Sequence, residues 1–353
     1  MALKPYRALT HRGRLRRIRC LAQQALAQYG MAGAQLTFVH QAGNTMYRVA
    51  APDPASSPVD HDLFAPDRFL LRIHQPGYQT PEGIELELAW LEAMRCDAGL
   101  PVPEPVRTLE SRLLVQVSIP GIPGPRHCSL LRWVKGRMVT RGVRADHYRA
   151  QGRLMGRMHK YAAQWQPPPG LTKRHWDWDG FFSAVEGTDL TADDIWPLLP
   201  AAYVEPFQAV TRRVRAVMDE WGTGPEVYGL IHADLGIDAN LLFWRGEARA
   251  IDFDDSGFGY WIYDLAIALE HCRDDGATYA LYRDALLEGY TQTRPLPTWQ
   301  ATQLDLFLAA WDVYLSLWAA AGAHLYPHHR AWALERLERA AAFVLDYVTG
   351  TST

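Results

Sequence analysis

"LIHADLGIDANLLFWRGEARAIDFDD", Leu230 to Asp255, sets a histidine, a series of carboxylates and an asparagine around two short apolar runs. The runs "LLFW" (241–244) and "RAI" (249–251) flank "RGEA", which reads as a β-hairpin turning at Gly246. If that ribbon is symmetric about Gly246, Asn240 and Asp252 face each other across it. Opposed residues have Cβ atoms roughly 5 Å apart, so an amide oxygen and a carboxylate can share one divalent ion. An oxygen-only pair suits Mg²⁺, which keeps several waters and takes other ligands from substrate phosphates. The plainer reading makes the same two residues caps of the strand ends. Asp234, just past the apolar run "VYGLI" (227–231), adds a carboxylate that can accept the proton of an attacking hydroxyl.

Composition narrows what such a site would serve. With 36 Lys+Arg against 39 Asp+Glu, the formal charge of −3 gives no global attraction to nucleic acid or an anionic membrane. Small molecules are the expected partners. Cys20, Cys96, Cys128 and Cys272 lie far apart, which argues against a zinc knuckle or disulfide framework and fits a reducing cytoplasm. The basic N-terminus lacks the apolar core of a signal peptide. Phe307 to Ala323 is long and apolar, but Asp312 near its centre marks a buried helix rather than a membrane span.

Along the chain, an amphipathic helix over 14–29 precedes strand-like runs at 36–40, 46–50, 68–74, 112–118 and 128–134, with one helix inserted at about 82–98. The stretch "APDPASSPVDHDLFAPD", rich in Pro and Asp, reads as a mobile hairpin loop. From about residue 135 the pattern becomes helical, over 145–165, 200–221, 262–290 and 300–348, interrupted by the quoted hairpin. The expectation is an α+β chain with a small antiparallel β-sheet lobe and a larger, mainly helical one.

"HADLGIDAN" followed by "IDFDD" resembles the catalytic loop and metal motif of the protein-kinase-like fold, in its aminoglycoside phosphotransferase and choline kinase superfamily. Within it, "DFDDSGFGYWIYDLA" (252–266) is similar to bacterial enzymes of the stress response kinase A and homoserine kinase type. The resemblance spans nearly the whole chain. "AGNTMYRV" (42–49) resembles the phosphate-covering loop, "FLLRIH" (69–74) the cation-bearing strand, "CSLLRWVKGR" (128–137) the hinge, and "GRLMGRMH" (152–159) a helix of the second lobe.

The resemblance implies a bilobal organisation: a nucleotide-binding lobe over 1–128, a hinge over 129–134 and a catalytic lobe over 135–353. It makes Asp234 the catalytic base, His232 an orderer of its loop, Asn240 and Asp252 the metal ligands, and Asp264 a buried anchor of the loop backbone. Gly43, Asn44 and Thr45 would contact phosphate, Arg72 braced by Glu87 would grip the α/β-phosphates, and Leu131 and Trp133 would lie against adenine. ATP, or GTP, with two Mg²⁺ ions would donate a phosphoryl group to a small-molecule hydroxyl: an amino alcohol, an amino acid or an aminoglycoside-like compound. A serine/threonine protein substrate is the alternative within the family. No nucleic acid and no membrane partner is expected.

Two departures mark this chain. Five residues separate Asp234 from Asn240 where the family has four, leaving Asp238 as a rival for the metal role. Arginine stands at 72 where lysine is commoner; it still grips phosphate, with a different reach. Glu85 is a weaker rival to Glu87. Asp254 and Asp255 read as solvated turn residues or as groups reaching a second metal or the substrate. The aromatic stretches "HWDWDGFF" (175–182) and "GYWIYD" (259–264) read as core, or as walls that would hold a cationic acceptor beside Asp177 and Asp179. "LTADDIWP" (190–197) reads as a capped helix start, and His328 and His329 as too divergent to share an ion. The rivals from other classes are a metal-dependent hydrolase with His232, Asp234 and Asp252 as ligands, and a noncatalytic nucleotide-binding regulator.

Overall fold

Thr10 and Thr80 begin two helices in the same way, each accepting a hydrogen bond from the amide three residues on, Gly13 at 3.2 Å and Gly83 at 3.1 Å. In this computed structural model, which describes residues 4–53, 59–184, 188–325 and 330–350, they open α1 (His11–Gln28) and α2 (Pro81–Ala98). Around them run β1 (Gln35–Ala42), β2 (Asn44–Ala50), β3 (Phe64–Ile73), β4 (Leu114–Val117) and β5 (Arg126–Val134). These strands form one antiparallel sheet in the order β1-β2-β3-β5-β4. The buried face of α1, Ile18, Leu21, Ala22, Ala25 and Leu26, packs into one core with Leu36, Tyr47, Val49, Phe69 and Leu71 of the sheet. Strand β3 starts at Phe64, earlier than its apolar run, because an irregularity between Phe64 and Phe69 lets its first residues rejoin β5. Part of the loop expected to be mobile, 54–58, lies outside the described residues.

The chain divides into two compact units, one of residues 1–135 and 167–172, the other of 136–166 and 173–353. The predicted hinge residues 129–134 are the last part of β5, paired with β3 and β4.

The second unit is built on α3 (Ala145–Ala162), β6 (His175–Trp176), α4 (Trp178–Phe182), α5 (Ala192–Ile195) and α6 (Ala201–Trp221), then β7 (Tyr228–Ile231), β8 (Leu241–Trp244), β9 (Glu247–Ala250) and β10 (Gly257–Tyr260). There follow α7 (Trp261–Ile267), α8 (Gly276–Thr291), α9 (Thr298–Ala301), α10 (Leu304–Leu325) and α11 (Arg330–Thr349). The two long helices expected over 262–290 and 300–348 are thus each divided. Asp275 caps α8, accepting from the Thr278 amide at 3.3 Å, and so separates it from α7. The turn at Thr302 and Gln303 separates α9 from α10, and the paired histidines lie outside the described residues. Helix α10 is a core helix: Asp312 is buried and meets the buried Arg273 at 2.7 Å.

Helices α3 and α8 approach at glycines. A Cβ on Gly152 would stand 2.0 Å from the Leu286 carbonyl oxygen, and one on Gly289 2.0 Å from that of Arg149. Only glycine permits this backbone-on-backbone packing. It sets the face of α3 that carries Gln151 and His159, both fully buried, against the segment that follows β7.

Candidate active site

The hairpin pairs Leu241 with Ala250, Leu242 with Arg249, Phe243 with Ala248 and Trp244 with Glu247. This corrects the predicted register by one residue. The connection is a two-residue turn, Arg245 at φ 51° and Gly246 at φ 82°, so the ribbon is symmetric about the bond between them rather than about Gly246. Asn240 therefore stands opposite Ile251, whose amide donates to its carbonyl at 2.9 Å, and not opposite Asp252. A one-residue slip along a regular strand would turn Asp252 to the other face. Instead Asp252 leaves the ladder in the left-handed region, at φ 61°, a conformation that costs a non-glycine residue about 1 kcal/mol or more.

The loop ahead of the hairpin hangs from buried groups. Asp264 of α7 accepts from the His232 amide at 3.2 Å and the Ala233 amide at 2.7 Å, and holds His159 Nε2 at 2.9 Å. Against the upward push of burial, His159 and these contacts hold the Asp264 carboxyl below its ordinary range. Ala233 sits at φ 66°, so these anchors sustain a strained backbone just before Asp234. His232 is fully buried, and its Nε2 lies 3.0 Å from the Ile251 carbonyl while its Nδ1 accepts from the Asp234 amide at 3.3 Å. Burial lowers its basicity, which fits a neutral ring donating through Nε2.

Asn240 Nδ2 donates to the Asp234 carbonyl at 2.9 Å and to Asp234 Oδ2 at 2.7 Å, which leaves its own amide oxygen for a cation. The extra loop residue is absorbed in a turn, where Gly236 accepts from the Ala239 amide at 3.3 Å and the Asn240 amide at 3.2 Å. Asp238 pairs instead with His271 at 3.1 Å, so the loop presents Asn240 to Asp234. Burial raises the Asp234 carboxyl well above the usual carboxylate range, and the charges of Asp255 and Asp252 add to the effect. A bound cation would relieve this repulsion on the Asp234 carboxylate.

The turn carrying these acids is held by a residue that the sequence reading passed over. Lys173, buried, donates Nζ to the Phe253 carbonyl at 3.1 Å, the Asp254 carbonyl at 2.8 Å and Ser256 Oγ at 2.8 Å. Trp176 Nε1 donates to the Asp255 carbonyl at 2.9 Å. Nothing in "LTKRHWDWD" links position 173 to position 253 without the fold. Gln151, equally unforeseen, donates to the Leu235 carbonyl at 2.7 Å and ties the loop to α3.

In the first unit, Arg72 Nη1 meets Glu87 Oε1 at 2.7 Å, both side chains almost fully buried, whereas Glu85 is exposed. Arg72 lies across from Met46 on β2 and Ser129 on β5. Gly43 turns β1 into β2 at φ 78°. Asn44 Oδ1 accepts from the Gln75 amide at 2.9 Å, and Gln41 Nε2 donates to Thr45 Oγ1 at 2.9 Å. Leu131 is buried opposite Leu70, and Trp133 is half-buried near the end of the same strand.

Among the described residues no three His, Cys, Asp or Glu side chains gather as a protein-only metal site would require. An amide oxygen and one or two carboxylates fit a Mg²⁺ ion whose remaining ligands are water and phosphate.

Residues 37–302 match the profile of APH, the phosphotransferase enzyme family, and the chain belongs to that family. Its fold is that of a protein-kinase-like phosphotransferase. The structure of a microcompartment-associated aminopropanol kinase superposes with a TM-score of 0.75 at 26% identity, covering 94% of this chain and 98% of that one. The amicoumacin kinase hAmiN, solved with AMP-PNP, Ca²⁺ and Ami, gives a TM-score of 0.71 at 20% identity, covering 94% of this chain and 96% of that one. The homoserine kinase of Xanthobacter autotrophicus is 26% identical over 56% of this chain and 57% of its own length.

Proposed function

We propose that the protein transfers the γ-phosphoryl group of ATP, or of GTP, to a hydroxyl of a small molecule in the cytoplasm, the acceptor being an amino alcohol, an amino acid or an aminoglycoside-like compound. The observation that carries this reading is Asp234 held by Asn240 and crowded by Asp252 and Asp255, on a loop suspended from Asp264. Asp234 orients the acceptor hydroxyl and takes its proton; the raised basicity of its carboxylate suits that task. Asn240 and Asp252 hold Mg²⁺, which when bound neutralises charge on the transferring phosphate. Arg72, braced by Glu87, grips phosphate oxygens, and the turn at Gly43, Asn44 and Thr45 offers amides to them. Leu131 and Trp133 contact the base. The named enzymes above act on small molecules, which favours such an acceptor over a protein.

A metal-dependent hydrolase fits less well, because both ring nitrogens of His232 are engaged by backbone groups and neither is left for an ion. The test is a screen of hydroxylated amines, amino acids and sugars with labelled ATP, run beside Asp234→Asn. Transfer to an acceptor that disappears in the variant supports the reading; equal turnover by the variant refutes it.

A further inference from the structure

The near-neutral balance of the whole chain conceals an uneven one. Residues 1–52 hold eight of the 36 Lys+Arg and none of the 39 Asp+Glu, and Asp53 is the first carboxylate along the chain. The structure gathers this excess on α1 and the segment that leads into it. Lys4, Arg7, Arg12, Arg14 and Arg16 are exposed, and among the described residues no hydrogen bond or ion pair engages their side chains. Arg17 donates to the Gly121 carbonyl at 2.6 Å and Arg19 to the Leu36 carbonyl at 2.9 Å, so their charges are spent on backbone and meet no carboxylate among the described residues. None of this serves the fold. Cations in the first turns of α1 oppose the positive end of its dipole, and Arg12 and Arg16, one turn apart, repel each other.

An apolar pair lies beside the arginines. Phe38 and Val39 of the edge strand β1 are 42% and 44% exposed. Pairing with β2 passes from Phe38–Tyr47 to His40–Met46, so Val39 is an extra residue at a bulge, and both neighbouring side chains come to the surface. Arg12, Arg16 and Arg19 follow one side of α1 at helical spacing. That side borders β1, because Arg19 reaches the Leu36 carbonyl and Tyr47, whose ring stands 6.0 Å from that of Phe38, donates its hydroxyl to the Leu15 carbonyl at 3.3 Å.

We propose that this face of the first unit docks on an anionic phospholipid bilayer, with the arginines on the lipid headgroups and Phe38 and Val39 in the interfacial layer. A cluster of basic residues supplies the attraction to an anionic leaflet, and a small apolar projection supplies contact with the acyl boundary. Guanidinium groups, which fork onto phosphate oxygens, suit the headgroups better than ammonium groups would. The apolar face of α1 is committed to the core, so the surface is preformed and needs no helix to unfold from the protein. Nucleic acid is the less favoured partner of such charge: Val39 offers no ring on which a base could stack. The inference goes beyond the phosphotransfer reading and does not depend on it.

The full chain is sedimented with vesicles of phosphatidylcholine alone and with vesicles carrying about a third phosphatidylserine. Partition onto the anionic vesicles is expected to be at least about tenfold stronger at about 0.1 M salt, and to fall away at about 0.5 M. Arg12→Gln with Arg16→Gln should weaken it more than tenfold, at roughly fivefold per charge, while the melting temperature holds or rises. Phe38→Ser should weaken it several-fold and leave its salt dependence in place. Duplex DNA and single-stranded RNA oligomers are titrated under the same conditions. The proposal is overturned if neutral vesicles bind as well as anionic ones, if the double variant or Phe38→Ser stays within twofold of wild type, or if either nucleic acid binds more tightly than the anionic vesicles.

Discussion

In the first unit the buried guanidinium of Arg72 meets the carboxylate of Glu87 at 2.7 Å, and opposite charges answer each other. In the second, the carboxyl of Asp234 faces like charges from Asp255 and Asp252 with the Asn240 amide as its hydrogen-bonded partner. The first arrangement is balanced in charge within the protein. The second is a set of groups whose mutual repulsion falls when a cation arrives, and whose stability cost is carried by the anchors around it.

Breaking the acidic cluster should have the largest effect. Asp234→Asn keeps the shape and the Asn240 contact but removes the proton acceptor, and is expected to lower kcat by at least ~10³-fold while the melting temperature holds or rises. Steady-state kinetics beside calorimetric melting would check both halves. Breaking the neutral pair should act on stability instead: Glu87→Ala strands a buried guanidinium and is expected to cost about 3–5 kcal/mol in denaturant unfolding. An Arg72→Met, Glu87→Leu double variant should regain most of that stability without regaining nucleotide affinity.

A third buried acid sharpens the contrast, because Asp312 has a cationic neighbour in Arg273 and yet burial raises its carboxyl to about 7. A group whose folded value lies above its unfolded one contributes stability that is full below about pH 4 and is lost as pH rises through about 7. Wild type should therefore lose a few kcal/mol, roughly, relative to Asp312→Asn over that window and run parallel to it above, as urea titrations at stepped pH would show. The smallest effect is expected at Lys173, which touches the acidic turn through two carbonyls and a hydroxyl. Lys173→Met should raise the Mg²⁺ concentration for half-maximal activity about tenfold with a smaller change in kcat, the usual size of such indirect support.

Much of this architecture was legible because it depends on local pattern. Short apolar runs mark β2 and β3, and Thr80 with Pro81 marks the start of α2. The Asp234, Asn240 and Asp252 triplet stood out because its spacing straddles a hairpin. The register did not, since a single residue of turn length decides it and "RGEA" admits either midpoint. The breaks after α7 and before α8 were hidden because helical periodicity runs across a short cap without losing phase. Lys173 and Gln151 act through partners tens of residues away, and no window of sequence contains both ends of such a contact.

The glycine contact between α3 and α8 has a bearing on how the protein breathes. With no side chains between the two backbones there is no layer able to slip or repack, so the pair opens together or not at all. The amides there should be among the last in the second unit to exchange with deuterium, and the loop that bears Asp234 inherits that stillness through Gln151.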